Sequence, residues 1–251
     1  MSNFDRNYTA PSRWADRSVA IDAGLRAHMV RVYNYMAAGV ALTGIVAWLT
    51  FQAAVTTTPA GRLVLTGFGQ AIYGGPVTIL MVLATLGLVF FINFRIQHLT
   101  APTALMLFLL YAALLGLMLS SIFLQYTGVS IGRIFFISAA SFGGLSLWGY
   151  TTKRDLTPVG SFLAMGLIGL LLVMLVNFFI HSSTLESVFS VVGVLIFAGF
   201  TAVDTQMIKE LYDPMDDGTI AGRKAVMGAL RLYLDFINLF LFLLRLFGDR
   251  R

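Results

Sequence analysis

Seven apolar runs, each about the length a helix needs to cross a bilayer core, settle the class of this chain before any single residue is considered. They lie at about Val32 to Ala53, Pro76 to Phe94, Pro102 to Leu124, Ile131 to Tyr150, Pro158 to Phe179, Ser187 to Ile208 and Ala229 to Phe247. With 58% hydrophobic residues among 251 and a mean hydropathy of +0.83, the chain exceeds a soluble domain, whose apolar share is nearer half. The expectation is an all-α integral membrane protein of seven transmembrane helices whose first partner is the lipid bilayer. Cysteine is absent, which removes disulfides, thiolate catalysis and sulfur-ligated metals together.

Three segments follow from the runs: a polar N-terminal tail over 1–30, a seven-helix domain over 31–248 and a short C-terminal tail over 249–251. The N-terminal tail has neither the apolar core nor the cleavage site of a signal peptide and reads as mostly unstructured. After the first run, Thr56-Thr57-Thr58-Pro59 breaks the helix, and Leu63 to Tyr73 reads as lying along the interface. The fourth run is rich in Gly, Ser and Ala, including Gly143-Gly144, so it reads as a central, closely packed span. The net charge of +5 is spread over short loops and the tail rather than gathered on one soluble face, which argues against nucleic acid as a partner. Topology accounts for it better. With the N-terminus in the cytoplasm, twelve basic residues fall inside, among them Arg95, Lys153, Arg154, Lys209 and Arg231, and five fall outside, including Arg133 and Arg245.

Two of the runs carry an aspartate. Asp204 lies four residues before the sixth run ends at Ile208, and Asp235 lies four residues after Arg231. The connection between them is polar, so both meet the same membrane face at about the same depth, roughly 6 Å inside the flanking charge at about 1.5 Å per residue. A carboxylate inside a membrane costs a few kcal/mol even on lenient scales, so it faces the bundle and has a partner. Two carboxylates a few ångströms apart cannot both ionise cheaply; such a pair shares a proton, senses pH and offers oxygen ligands to a hard cation such as calcium. The plainer alternative is two separate hydrogen bonds, for instance to Thr205 or Tyr233. Arg95, at the end of the second span, reaches the same face as a candidate cation for the pair. Asn238 lies one turn beyond Asp235, and Arg245 two turns beyond Asn238; the three form a candidate pore-lining stripe. Alternatively, Asn238 bonds a neighbouring helix and Arg245 snorkels to the outer interface.

Other polar residues carry less. His28, His98 and His181 sit at the ends of different spans without metal-site spacing. Asp213 to Gly218 lacks the alternating acids and terminal Glu of a calcium loop and reads as a turn. With no nucleophile arrangement, phosphate loop or nucleotide fingerprint, neither catalysis nor a tightly bound cofactor is expected.

The segments Gly199-Phe200-Thr201-Ala202-Val203-Asp204-Thr205-Gln206 and Leu232-Tyr233-Leu234-Asp235-Phe236-Ile237-Asn238-Leu239-Phe240, followed by Leu244-Arg245, resemble the signature of the transmembrane Bax inhibitor motif family. The resemblance covers the seven-span layout from about Val30 to Gly248. It implies a fold whose C-terminal helix is central and wrapped by six others. It also implies a pH-responsive calcium leak with calcium as the permeant ion, in which an aspartate pair is sensor and gate. Asp204 and Asp235 stand at the motif positions of that pair, and Arg95 is the candidate, by position only, for an arginine that latches onto it. Some relatives carry an acid inside the second span, whereas Pro76 to Phe94 has none. Bacterial relatives include modulators of a membrane-bound protease, so the alternative is a regulator that binds such a partner through its tail. An intramembrane aspartyl protease is disfavoured, because Thr201-Ala202-Val203 precedes Asp204 where Gly-x-Gly is required. Short loops and the lack of an organellar signal fit a bacterial inner membrane.

Overall fold

The computed structural model describes residues 13–59 and 62–251, with side chains from Ala23 onward. Lipid offers no substitute for water as a hydrogen-bond partner, so each span closes its backbone bonds internally as a helix. The order is α1 (Arg13–Ala54), β1 (Val55–Thr57), β2 (Leu63–Leu65), α2 (Gly67–Tyr73), α3 (Gly75–Arg95), α4 (Ala101–Leu119), α5 (Ile122–Gln125), α6 (Gly128–Thr151), α7 (Thr157–Ile180), α8 (Ser183–Glu210) and α9 (Gly218–Phe247). Seven of these elements form stretches long and apolar enough to cross a membrane.

Side-chain caps set the boundaries. The hydroxyls of Thr100, Thr127 and Ser182 accept the N–H groups of Thr103, Ser130 and Leu185, and Asp217 Oδ1 accepts those of Thr219 and Ile220. At the end of α7, His181 turns left-handed at φ 56°, while Asn177 Oδ1 accepts the Ser182 N–H.

Two expectations need correction. The tail is helical from Arg13, because the segment after Pro11 has no proline and is rich in the strong helix formers Ala and Arg. The rest of it, 1–12, lies outside the described residues. Between α1 and α3 the chain forms an antiparallel hairpin with Val55 opposite Leu65 and Thr57 opposite Leu63, followed by the short α2, rather than one interfacial segment; β-branched Val55, Thr56 and Thr57 suit a strand. The short C-terminal tail is tied into the fold: Thr127 N–H donates to Asp249 O, Arg251 N–H to Gln125 O, and Asp249 N–H to Ser130 Oγ.

The C-terminal helix is the axis. In an 18-residue apolar stretch of α9, 72% of the residues are buried, against 11% in the corresponding stretches of α3 and α7. Helices α1, α4, α6 and α8 pack on it directly, α3 packs on α4, and α7 packs on α8. Span four contributes differently from the expectation. Gly143 and Gly144 are exposed and a Cβ on either would meet open space. The helix packs instead through Ser130, Ile134, Ser138, Phe142, Ser146 and Gly149, a stripe near four-residue spacing. Gly149 lets the α6 backbone cross α8, since a Cβ there would stand 2.3 Å from Ala202 O.

Candidate functional site

The α8–α9 pair is the most extensively packed among the described residues, and small residues set its register. Gly228 receives Ile208, and Gly193 receives the ring of Phe242, where a Cβ would be 2.7 Å from the ring atoms. That register brings Asp204 of α8 level with Asp235 of α9. Asp235 is buried, with 5% of its surface accessible, and its Oδ2 has no N–H or O–H donor in reach among the described residues. The carboxyl of Asp204, level with it on the facing helix, is its close neighbour. Two carboxylates present only acceptors, so this contact becomes a hydrogen bond when one of them carries a proton.

Asp204 is the accessible member. It lines a crevice of about 510 Å³ between α3, α7, α8 and α9, together with Asn93, Ser161, Glu210 and Arg231. Asp235 therefore lies behind Asp204 as seen from the crevice. The pair supplies at most four carboxylate oxygens, whereas calcium takes six to eight ligands. Glu210, Asn93, Thr157, Ser161 and Gln206 are the further oxygen-bearing side chains that line that space. Among the described residues, no group of three or more acids or histidines gathers here.

The cation beside the pair is Arg231, with Nη1 3.8 Å from Asp204 Oδ1 and donating to Met207 Sδ at 2.9 Å. Arg95 is exposed at the end of α3 and forms no ion pair among the described residues. The reason is packing: α3 rests chiefly on α4. Arg231 was legible as the residue one helical turn before Asp235, a spacing that puts two side chains on one face.

The alternative hydrogen-bond partners for the aspartates are engaged elsewhere. Tyr233 Oη bonds Thr43 Oγ1 at 2.6 Å, inside an aromatic cluster with Phe108 and Tyr111. Thr205 Oγ1 donates to Thr201 O and lies 2.8 Å from Ser146 Oγ, which in turn lies 2.6 Å from Tyr33 Oη. This buried chain of hydroxyls ties α1, α6 and α8 together, and sequence alone gave no signal for it.

The polar stripe of α9 does not act as one surface. Asn238 Nδ2 donates to Leu234 O of its own helix at 2.8 Å. Arg245 stands about 15 Å from the level of Asp235 along α9. There its guanidinium lies over Phe189 and Phe242, with Nε 3.9 Å from Glu186. Outside the spans, Asp155 is held below the usual carboxylate range by hydrogen bonds from the side chain and N–H of Thr157. Nearby, Gln206 fastens the α6–α7 connection to α8 through Leu156 N–H and Arg154 O.

The sequence profile of the family described as "Inhibitor of apoptosis-promoting Bax1" matches residues 25–251. Over 246 residues the chain is 44% identical to the uncharacterized protein RP147 of Rickettsia prowazekii, spanning 98% of this chain and 99% of that one. It is 43% identical over 241 residues to the inner membrane protein YbhL of Escherichia coli, with 94% and 97% covered. A Caulobacter vibrioides protein is 42% identical over 255 residues, spanning the whole of both chains.

Proposed function

Because this chain belongs to the Bax inhibitor family of membrane proteins, we propose that it is a pH-responsive calcium leak of the bacterial inner membrane, valved by Asp204 and Asp235. The observation that carries the reading is that Asp235 is buried with no donor to its Oδ2, while Asp204, level with it on α8, lines a crevice. On this reading Arg231 is the latch. When Asp204 is ionised, the guanidinium sits against it and positive charge blocks the inner end of the crevice. Protonation cancels the carboxylate charge and loosens that hold. Full protonation also removes the anionic oxygens that a hard cation requires, so conduction peaks at an intermediate pH. By the charge bias of the loops, the N-terminus faces the cytoplasm, and the pair lies near that face.

Calcium flux into liposomes, followed from acid to neutral pH with the purified chain, tests the proposal. Wild-type protein gives a pH-dependent flux, and Asp204→Asn, which keeps the shape and removes the titrating group, gives a flat profile. A wild-type chain that conducts no calcium at any pH, or an Asp204→Asn variant with the full pH response, overturns it.

A further inference from the structure

Helices α1 and α6 both pack on α9 yet stand apart from each other near the Lys209 end of α8, tied by the Tyr33 Oη–Ser146 Oγ hydrogen bond. Between them lies an open groove of about 600 Å³. Along α6 its lining runs from Phe142 to Tyr150, about 12 Å at the rise of an α-helix. One leaflet contributes half of a hydrocarbon core about 30 Å thick, so the groove has the depth of a single leaflet. Gly143 forms part of its wall, and a Cβ there would meet nothing within 4 Å. A glycine inside a helix costs about 1 kcal/mol relative to alanine, and this one repays none of it in close packing. What its missing side chain does is keep the groove deep.

The two ends differ in chemistry. The inner part is apolar, with Met29, Phe142 and Leu147. The mouth is cationic: Arg26 lines it, and the Lys209 ammonium stands 5.2 Å over the Tyr150 ring while donating to Tyr150 O at 2.9 Å. A lysine has three donors, so two remain for another acceptor. Lys153 and Arg154 follow α6 at the same face. On that face Asp155 follows Arg154, Asp216 pairs with Lys224, and Glu210 lines the crevice at Asp204; none of the three lines this groove.

We propose that the α1/α6 groove is a binding site for an anionic phospholipid, with one acyl chain lying along Gly143 and the phosphate between Arg26 and Lys209. Basic pockets between transmembrane helices are a known type of headgroup site. The dimensions favour a lipid over a transmembrane helix. A helix is 10–12 Å wide and needs the full bilayer depth, whereas the next cavity along α1 and α6, beside Gly44 and Gly132, holds about 180 Å³.

The test is native mass spectrometry on the full delipidated chain in detergent, titrated with phosphatidylglycerol and phosphatidylcholine. The expected result is one tightly held phosphatidylglycerol per chain, preferred over phosphatidylcholine by about tenfold or more. Arg26→Gln lowers that preference about fivefold, the effect of one near-surface cation on an anionic headgroup. Gly143→Phe, whose side chain enters open space, abolishes tight binding without lowering the melting temperature; Gly143→Leu serves if the phenylalanine variant does not fold. Equal retention of the two lipids by the wild-type chain, unchanged preference in Arg26→Gln, or retained lipid in a folded Gly143 variant overturns the site. A wild-type dimer that Gly143→Phe converts to monomer assigns the groove to a second copy and overturns it equally.

Discussion

The latch assignment makes a quantitative demand on Arg231. Its Nη1 is 3.8 Å from Asp204 Oδ1. At about 4 Å, two unit charges attract by about 1 kcal/mol in water and about 4 kcal/mol at an effective dielectric of 20. The Arg231 side chain is 44% exposed and that of Asp204 15%, so solvent screens much of the attraction and the lower part of this range applies, about 1–2 kcal/mol. That energy corresponds to roughly a 5- to 30-fold change in the ratio of latched to unlatched molecules. Arg231→Gln should therefore raise basal calcium flux near neutral pH by roughly 5- to 30-fold, in liposomes carrying a calcium-sensitive dye. Arg95→Gln, measured beside it, should match wild type, because Arg95 forms no ion pair among the described residues. The reverse pattern, with Arg95→Gln leaky and Arg231→Gln silent, refutes the assignment and makes Arg231 a surface anchor of α9.

Three further outcomes follow from the packing and the charge bias. Gly149→Ala forces a Cβ to within 2.3 Å of Ala202 O and should destabilise the folded protein by about 1–3 kcal/mol, whereas Gly143→Ala, facing open space, should be neutral or stabilising in the same detergent melts. Tyr233→Phe removes the hydroxyl 2.6 Å from Thr43 Oγ1 but leaves Thr43 donating to Ala112 O, so a cost of about 1 kcal/mol is expected in thermal unfolding. A reporter joined by a flexible linker after Arg251 should read as outside the cytoplasm; a cytoplasmic signal would invert the topology and move the aspartate pair to the other face.

The spans were legible because hydrophobic length is a local property that lipid enforces, and an aspartate inside such a span stands out in any reading. Identity of partners was harder, since it depends on which faces meet. Arg95 and Arg231 both fall at the expected face, and only the packing of α3 on α4 decides between them. The same limit explains Gly143 and Gly144. Composition marks span four as tightly packed, yet the contact runs through its serines, and the paired glycines face outward. The hydroxyl chain Tyr33, Ser146 and Thr205 joins three helices far apart in sequence, so periodicity within any one of them contains no trace of it.

The folded-back C-terminus has a mechanical consequence. Near its start helix α9 is held against α4, where Gly222 leaves room for Ala101. At the other end it is held by residues 249–251 bonded into the turn between α5 and α6. Asp235 thus rides on a shaft fastened at both bearings, one that sliding along its own axis would have to tear loose. Helices α3 and α7, mostly bare of protein contacts and each resting chiefly on one neighbour, are free at far smaller cost. They are also two of the walls of the crevice that reaches Asp204, so any widening of that crevice is a movement of the rim about a stationary axle.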